Sequence, residues 1–176
     1  MAQIARVCLI GPHSTGKSTL ARDLAAHYRT QWVSEYARGY SLAVRRELTA
    51  DDVPKIAMGQ IANEESARDA RLLFLDTDLL STVVYSRHYY GSCLEWIETK
   101  ARERRADLYL LMDVDTPFVV DPARDSADVR QELFGKFRAA LEEFGAEYVV
   151  ISGGWKDRMR AALAAIQATA NERFRP

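Results

Sequence analysis

The sequence predicts an α/β fold, an open doubly wound sheet of five parallel strands covered by helices. Three observations predict it. An apolar run, a glycine-rich loop and an amphipathic helix follow one another between Ile4 and Tyr28. Apolar runs then alternate with helical patterns along the rest of the chain, as in a parallel sheet joined by helical crossovers. Polar residues and glycines gather just after the runs, and in such sheets ligands sit beyond the carboxyl ends of the strands.

The first strand is Ile4 to Ile10, and the first helix runs from about Lys17 to Arg29, with Leu20, Leu24 and Tyr28 at helical spacing. Gln31 to Ser34 reads as a second strand ending at Glu35, and Tyr36 to Glu47 as a helical stretch. Thr49 or Asp51 caps a helix running to about Arg68, with Pro54 tolerated in its first turn. Leu72 to Leu75 is the third strand and leads into Asp76-Thr77-Asp78. A helix from Leu79 to Tyr90 stops at Gly91, and another covers Cys93 to Arg105, whose Glu98 to Arg105 segment is a solvated charged face. Asp107 to Met112 is the fourth strand, leading into Asp113. Residues Asp115 to Asp125 hold two prolines and several acids, so they read as a loop. Val129 to Phe144 is helical and stops at Gly145, Glu147 to Ile151 is the fifth strand, and Trp155 to about Arg173 is the last helix.

At 176 residues the chain suits one domain, 1–176, with a lid over about 115–130. A hydrophobic fraction of 48% supplies a core. The net charge of −1, from 24 basic and 25 acidic residues, gives no reason to expect nucleic acid or a membrane as partner. Two cysteines, Cys8 and Cys93, make no disulfide framework, and Cys8 reads as an inert buried thiol. No signal peptide and no run of membrane-spanning length is visible, so the expected compartment is the cytoplasm. Nothing in the sequence sets the oligomeric state.

The loop Gly11-Pro12-His13-Ser14-Thr15-Gly16-Lys17-Ser18 matches Gly-x-x-x-x-Gly-Lys-Ser/Thr, the phosphate-cradling pattern of ATP- and GTP-using proteins. Glycines let backbone N–H groups turn inward around an anion, and the helix start adds unpaired N–H groups and its positive dipole end. Gly11, Ser14, Thr15, Gly16, Lys17, Ser18 and Thr19 are therefore the expected ATP contacts. Lys17 would reach the β- and γ-phosphates and the Ser18 hydroxyl would ligate Mg²⁺. Asp76 closes an apolar strand, the place from which a carboxylate reaches that Mg²⁺ directly or through water. Asp78 would either hold an acceptor hydroxyl or cap the next helix. Glu35, clustered with Tyr36 and Arg38, would take a proton from an attacking hydroxyl, bind a sugar hydroxyl, or pair with Arg38. Tyr36 or Tyr40 would stack on a flat ring or pack in the core. Arg124 and Arg130 flank the proline-containing loop and would close over ATP, or pair with nearby aspartates. His13 is assigned no catalytic role, His27 and His88 fall in helices, and no Cys/His spacing suggests zinc.

Taken in order, Gly11 to Leu20, Glu35-Tyr36-Ala37-Arg38, Ile56 to Gln60, Phe74 to Asp78, Tyr89-Tyr90-Gly91, Asp107 to Leu111 and Asp121 to Arg124 resemble the ribosylnicotinamide kinase domain of NadR-type proteins, grouped with small AAA-labelled ATPases. The resemblance runs nearly end to end. It implies a phosphate-loop NTPase fold of nucleoside-kinase type, ATP with Mg²⁺, and transfer of the γ-phosphoryl group to a ribosyl 5′-hydroxyl. For nicotinamide riboside the product would be nicotinamide mononucleotide, a step of NAD biosynthesis. By the same resemblance Asp76 is a metal or substrate carboxylate, Glu35 and Arg38 belong to the acceptor site, and Arg124 and Arg130 to the lid. Ser34 stands where the family often carries Trp before the Glu-Tyr pair, and Trp32 lies two residues earlier. The competing readings are a kinase for another nucleoside or nucleotide and an ATP-gated regulatory module.

Overall fold

The computed structural model describes residues 5–67, 71–115 and 127–173. Five strands alternate with helices: β1 (Ala5–Ile10), α1 (Lys17–Tyr28), β2 (Gln31–Val33), α2 (Tyr36–Val44), α3 (Val53–Ser66), β3 (Leu72–Asp76), α4 (Leu79–Tyr90), α5 (Glu95–Glu103), β4 (Leu108–Met112), α6 (Ala127–Glu143), β5 (Tyr148–Ile151) and α7 (Trp155–Arg173). A 3₁₀ turn, Ala50–Asp52, precedes α3. The strands form one sheet in the order β2-β3-β1-β4-β5, and every neighbouring pair is parallel. The predicted fold class holds.

Alternation along the strands divides the core in two. Cys8 and Ile10 of β1, Leu73 and Leu75 of β3, and Tyr109 and Leu111 of β4 pack against α3, α4, α5 and α6. Val7 and Leu9, Phe74, and Leu108 and Leu110 face the other way, onto α1 and α7 through Leu20, Leu24, Ala162 and Ile166. Both faces of the central strands are therefore apolar, which is why they read as continuous runs. Cys8 is fully buried, and burial pushes its thiol well above the ordinary range, which makes it inert as expected.

Most element bounds fall within a few residues of expectation, and the differences have local causes. α4 begins after Asp78, whose side chain accepts from the Leu80 N–H, and ends at Gly91. α2 stops at Val44 rather than Glu47 because Arg45 turns left-handed, at φ 52°, and closes the helix onto the Ser41 carbonyl. Neither Thr49 nor Asp51 caps α3 itself, whose N-cap residue is Asp52; Thr49 instead caps the 3₁₀ turn that leads into it. Its side chain and the Asp52 carboxylate cap each other's backbone, and Arg46 and Tyr40 also donate to Asp52. Arg46, Thr49 and Tyr40 together hold the Asp52 carboxyl below the usual carboxylate range. Among the described residues no helix is long and apolar enough to cross a membrane.

Candidate active site

Parallel strands bring their carboxyl ends to one edge. The glycine loop follows β1, Glu35 follows β2, Asp76 ends β3, Asp113 follows β4 and Gly153 follows β5. β1 lies between β3 and β4, so the loop emerges at the middle of that edge.

Gly11 turns the chain out of β1 at φ 137°, a conformation that side chains avoid, and a Cβ there would lie 2.9 Å from the Met112 carbonyl oxygen. The loop then closes on itself. The Thr15 hydroxyl and the Lys17 ammonium both donate to the Pro12 carbonyl, at 2.9 and 2.7 Å. Lys17 is 8% exposed, so its charge is held inside the loop rather than in solvent. α1 opens at Gly16 with no side-chain cap and no acid in its first turn. Its first N–H groups and dipole end are thus arranged for an external anion.

Asp76 sits beside this loop. It pairs in register with Leu9, and the next residue, Thr77, donates its N–H to the Leu9 carbonyl at 3.0 Å. Asp76 is 2% exposed, and its buried Oδ1 has no hydrogen-bond partner among the described residues. A buried carboxylate oxygen without a donor is costly unless a cation completes it. Among the described residues there is no group of three or more His, Cys, Asp or Glu able to cage a metal. A single carboxylate beside an anion loop suits Mg²⁺, which is held by one or two protein ligands together with phosphate oxygens and water. Ser18, the second residue of α1, stands at the same edge.

Asp78 is turned inward. Its Oδ1 accepts from the Leu80 N–H at 2.9 Å and its Oδ2 from the Tyr109 hydroxyl at 2.6 Å, while that hydroxyl accepts from the Ala106 N–H. Both oxygens are used inside the fold, so of its two expected roles the geometry fits the helix cap. Burial, with Glu64 nearby, pushes the Asp78 carboxyl up to about 6.

Glu35 is the N-cap residue of α2, but its side chain makes no cap bond there. Tyr36 follows, with its ring 6.2 Å from that of Tyr40. Arg38 is one turn into the same helix. Arg130, in α6, is 3% exposed. Burial, and after it the charge of Arg158, lowers its pKa. Arg124 and most of the expected lid lie outside the described residues.

Three residues at this edge were given no site role by the sequence. Arg158, 1% exposed, donates to the carbonyls of Gly153, Thr15 and Asp113 and forms an ion pair with Asp115. Trp155 lies 3.4 Å from where a Cβ on Gly16 would be, so a half-exposed indole borders the loop. Gln60, buried in α3, bonds to the backbone of both Tyr36 and Thr77. Their partners are far away in sequence, so spacing gave no sign of them. For Gln60 the signals were its place in the family-like stretch Ile56 to Gln60 and a polar residue at a core position of α3, between Ile56, Ala57 and Glu64. A separate cleft of about 300 Å³, lined by Arg102, Arg105, Asp107 and Glu147, opens at the amino ends of β4 and β5. It lies at the edge where open α/β sheets do not bind their ligands.

The chain is similar to proteins of known name in sequence and in fold. The trifunctional NAD biosynthesis/regulator protein NadR of Escherichia coli K12 is 30% identical over 154 residues, which cover 83% of this chain and 38% of that protein. A crystal structure of NadR in complex with NR superposes with a TM-score of 0.75 at 25% identity, covering 94% of this chain and 50% of that one. A NadR structure with NAD and AMP-PNP gives 0.74 at 26% identity, covering 94% and 49%. The chain thus spans half or less of the length of these relatives. Residues 6–158, from β1 to the arginine that staples the phosphate loop, match the AAA domain family, and the chain belongs to that family.

Proposed function

We propose that the protein is an ATP-dependent kinase that phosphorylates a nucleoside 5′-hydroxyl, with nicotinamide riboside the leading acceptor and nicotinamide mononucleotide the product. One observation carries the reading. A self-closed glycine loop stands beside a buried carboxylate, Asp76, whose Oδ1 has no hydrogen-bond partner among the described residues. The NadR structures with NR and with AMP-PNP support the choice of acceptor and donor.

In this reading Gly11 to Thr19 hold the triphosphate. Lys17 leaves the Pro12 carbonyl for the β- and γ-phosphate oxygens, and Ser18 and Asp76 would hold Mg²⁺. The ion supplies charge neutralisation across the phosphates when bound. Glu35 accepts the proton of the acceptor hydroxyl as its oxygen bonds to the γ-phosphorus. The bond from that phosphorus to the β–γ bridging oxygen breaks and ADP leaves. Tyr36 and Arg38 line the acceptor side. Arg130, and Arg124 on the lid at about 115–130, face the charge spread over the transferring group. The reaction takes place in the cytoplasm, within one domain.

A coupled ADP-release screen tests the reading, with nicotinamide riboside, the common nucleosides and no acceptor as its arms. The expected result is release that depends on nicotinamide riboside, abolished in a folded Lys17→Ala variant. Undiminished phosphorylated product from that variant in ³¹P NMR overturns it. Release with thymidine or thymidylate alone moves the acceptor to another nucleoside. Tight ATP binding with no acceptor-dependent release points to a regulatory module.

A further inference from the structure

We infer that Gly59 and Gln60 form the seat that sets the acceptor-side carboxylate, with Gln60 a positioning residue that ties the turn carrying Glu35 to the turn carrying Asp76. This rests on the kinase reading above.

Gln60 lies in the interior of α3 and is 3% exposed. A primary amide there must find partners for its oxygen and its NH₂ group or destabilise the fold. It finds three. Its Oε1 accepts from the Tyr36 N–H at 3.1 Å. Its Nε2 donates to the Thr77 carbonyl at 3.2 Å and to Glu64 Oε1 at 3.1 Å. Two acceptors on one side and one donor on the other are consistent with only one orientation of the amide. Glu64 cannot drift, because Arg6 and Arg104 both pair with its Oε2.

The two backbone groups that Gln60 joins need an outside partner. The Tyr36 N–H is the first of α2 and has no acceptor within its own helix. Glu35, the N-cap residue, does not supply one from its side chain. Gln60 therefore caps α2 from a neighbouring helix. Thr77 sits at φ 66°, turned out of β3 between Asp76 and Asp78, so its carbonyl points away from the sheet ladder. One side chain thus fixes the exit of β2 against the exit of β3.

Gly59 completes the seat. A Cβ at that position would lie 2.2 Å from Cε1 and Cζ of Tyr36, so the tyrosine ring lies directly on the α3 backbone. The ring and the first N–H of Tyr36 are held by consecutive residues of one helix. The residue before it, Glu35, is aimed as a consequence.

The test uses the full chain with Gln60→Met, similar in length but unable to make these bonds, and Gln60→Glu. The charged groups around position 60 are Glu64 on α3, Arg6 on β1, Arg104 after α5 and Asp78 after β3. In Gln60→Met, kcat/KM for the acceptor falls about 10- to 100-fold, the scale for a misplacement near 1 Å, while the KM for ATP changes less than about threefold. In Gln60→Glu only the protonated acid can accept from Tyr36 and donate to Thr77, and burial beside Glu64 keeps it protonated to unusually high pH. Its acceptor kcat/KM, divided by the wild-type value at each pH, therefore rises as pH falls from 8 to 6, and the Gln60→Met ratio stays flat. If both variants melt lower but keep the wild-type acceptor kcat/KM, or if the Gln60→Glu ratio does not move with pH, the inference is wrong. If wild-type protein releases no ADP with any nucleoside, the kinase reading fails first and takes the inference with it.

Discussion

Arg158 offers the sharpest test of how the nucleotide edge is held together. Its guanidinium donates at 2.8 Å to the Gly153 carbonyl, 3.1 Å to Thr15 and 3.2 Å to Asp113, and pairs with Asp115. Arg158→Met keeps most of the volume and removes every donor. Asp115 is 37% exposed on its side chain, so water replaces its lost partner. The Thr15 carbonyl belongs to a residue that is 1% exposed and has no such substitute. With Asp113 it leaves two carbonyls short of a donor, at about 1–3 kcal/mol each. A net loss of about 3 kcal/mol follows, which for a domain of this size lowers Tm by about 6–12 °C. The second half of the effect is functional. Thr15 lies in the phosphate loop, so the rise in Tm on adding ATP should shrink along with the Tm itself. Arg158→Lys should recover only part of both, because an ammonium cannot serve three diverging carbonyls and a carboxylate at once. Differential scanning calorimetry with and without ATP reads both quantities. A Tm within 2 °C of wild type, or an undiminished ATP shift, would refute the idea that this side chain braces the loop.

At Gly11 any Cβ meets the Met112 carbonyl oxygen and must adopt φ 137°, so Gly11→Ala should lose about 2–3 kcal/mol in urea unfolding and its ATP-dependent rise in Tm. Asp78 predicts a pH dependence. Its carboxyl titrates near 6 in the folded chain against 3.8 in the unfolded one, so its contribution to stability is full below 3.8 and is lost as pH rises through 6. Asp78→Asn removes that loss, and the stability of wild type relative to this variant should fall by about 2 kcal/mol between pH 4.5 and 7.5. A difference that stays constant over that range would show that the carboxyl is not titrating there. Trp32 pairs with Phe74, two residues short of Asp76, on the face toward α1, so its ring lies about 7 Å back from the strand ends. Trp32→Leu should leave the acceptor KM within about twofold in the ADP-release assay.

Where a boundary is set by the residue at the boundary, the sequence announced it. Asp78 before α4 and Gly91 after it are a cap and a left-handed stop, and that helix has the expected ends. Where a boundary depends on a residue with no such preference, it was missed. Arg45 ends α2 in a left-handed conformation that nothing about arginine foretells. The order of the strands was not legible either, because it depends on which runs pair across the whole chain. The loop and Asp76 were legible, since each is defined by its place relative to one strand. Arg158 was not, because its bond to Thr15 spans 143 residues of sequence. Gln60 was half-legible. It ends the family-like stretch Ile56 to Gln60, but its work lies in two bonds, 24 and 17 residues away, that only the fold brings together.

Asp76 and Asp78 show how three consecutive residues become chemically different. As a sequence, Asp76-Thr77-Asp78 has two carboxylates of equal standing. β3 ends at Asp76, and Thr77 then turns left-handed, with its N–H on the Leu9 carbonyl and its own carbonyl on Gln60. That turn carries the chain inward, and Asp78 drops onto the first N–H groups of α4 and the Tyr109 hydroxyl. Its charge is disfavoured there, and its oxygens are occupied. Asp76, one residue before the turn, stays on the strand next to β1 with an oxygen that no N–H or O–H reaches. The left-handed threonine therefore separates a carboxylate that holds the fold from one whose Oδ1 has no hydrogen-bond partner among the described residues. Of the two, Asp76 is the one with an unbonded oxygen, and it lies in register beside the strand that leads into the glycine loop.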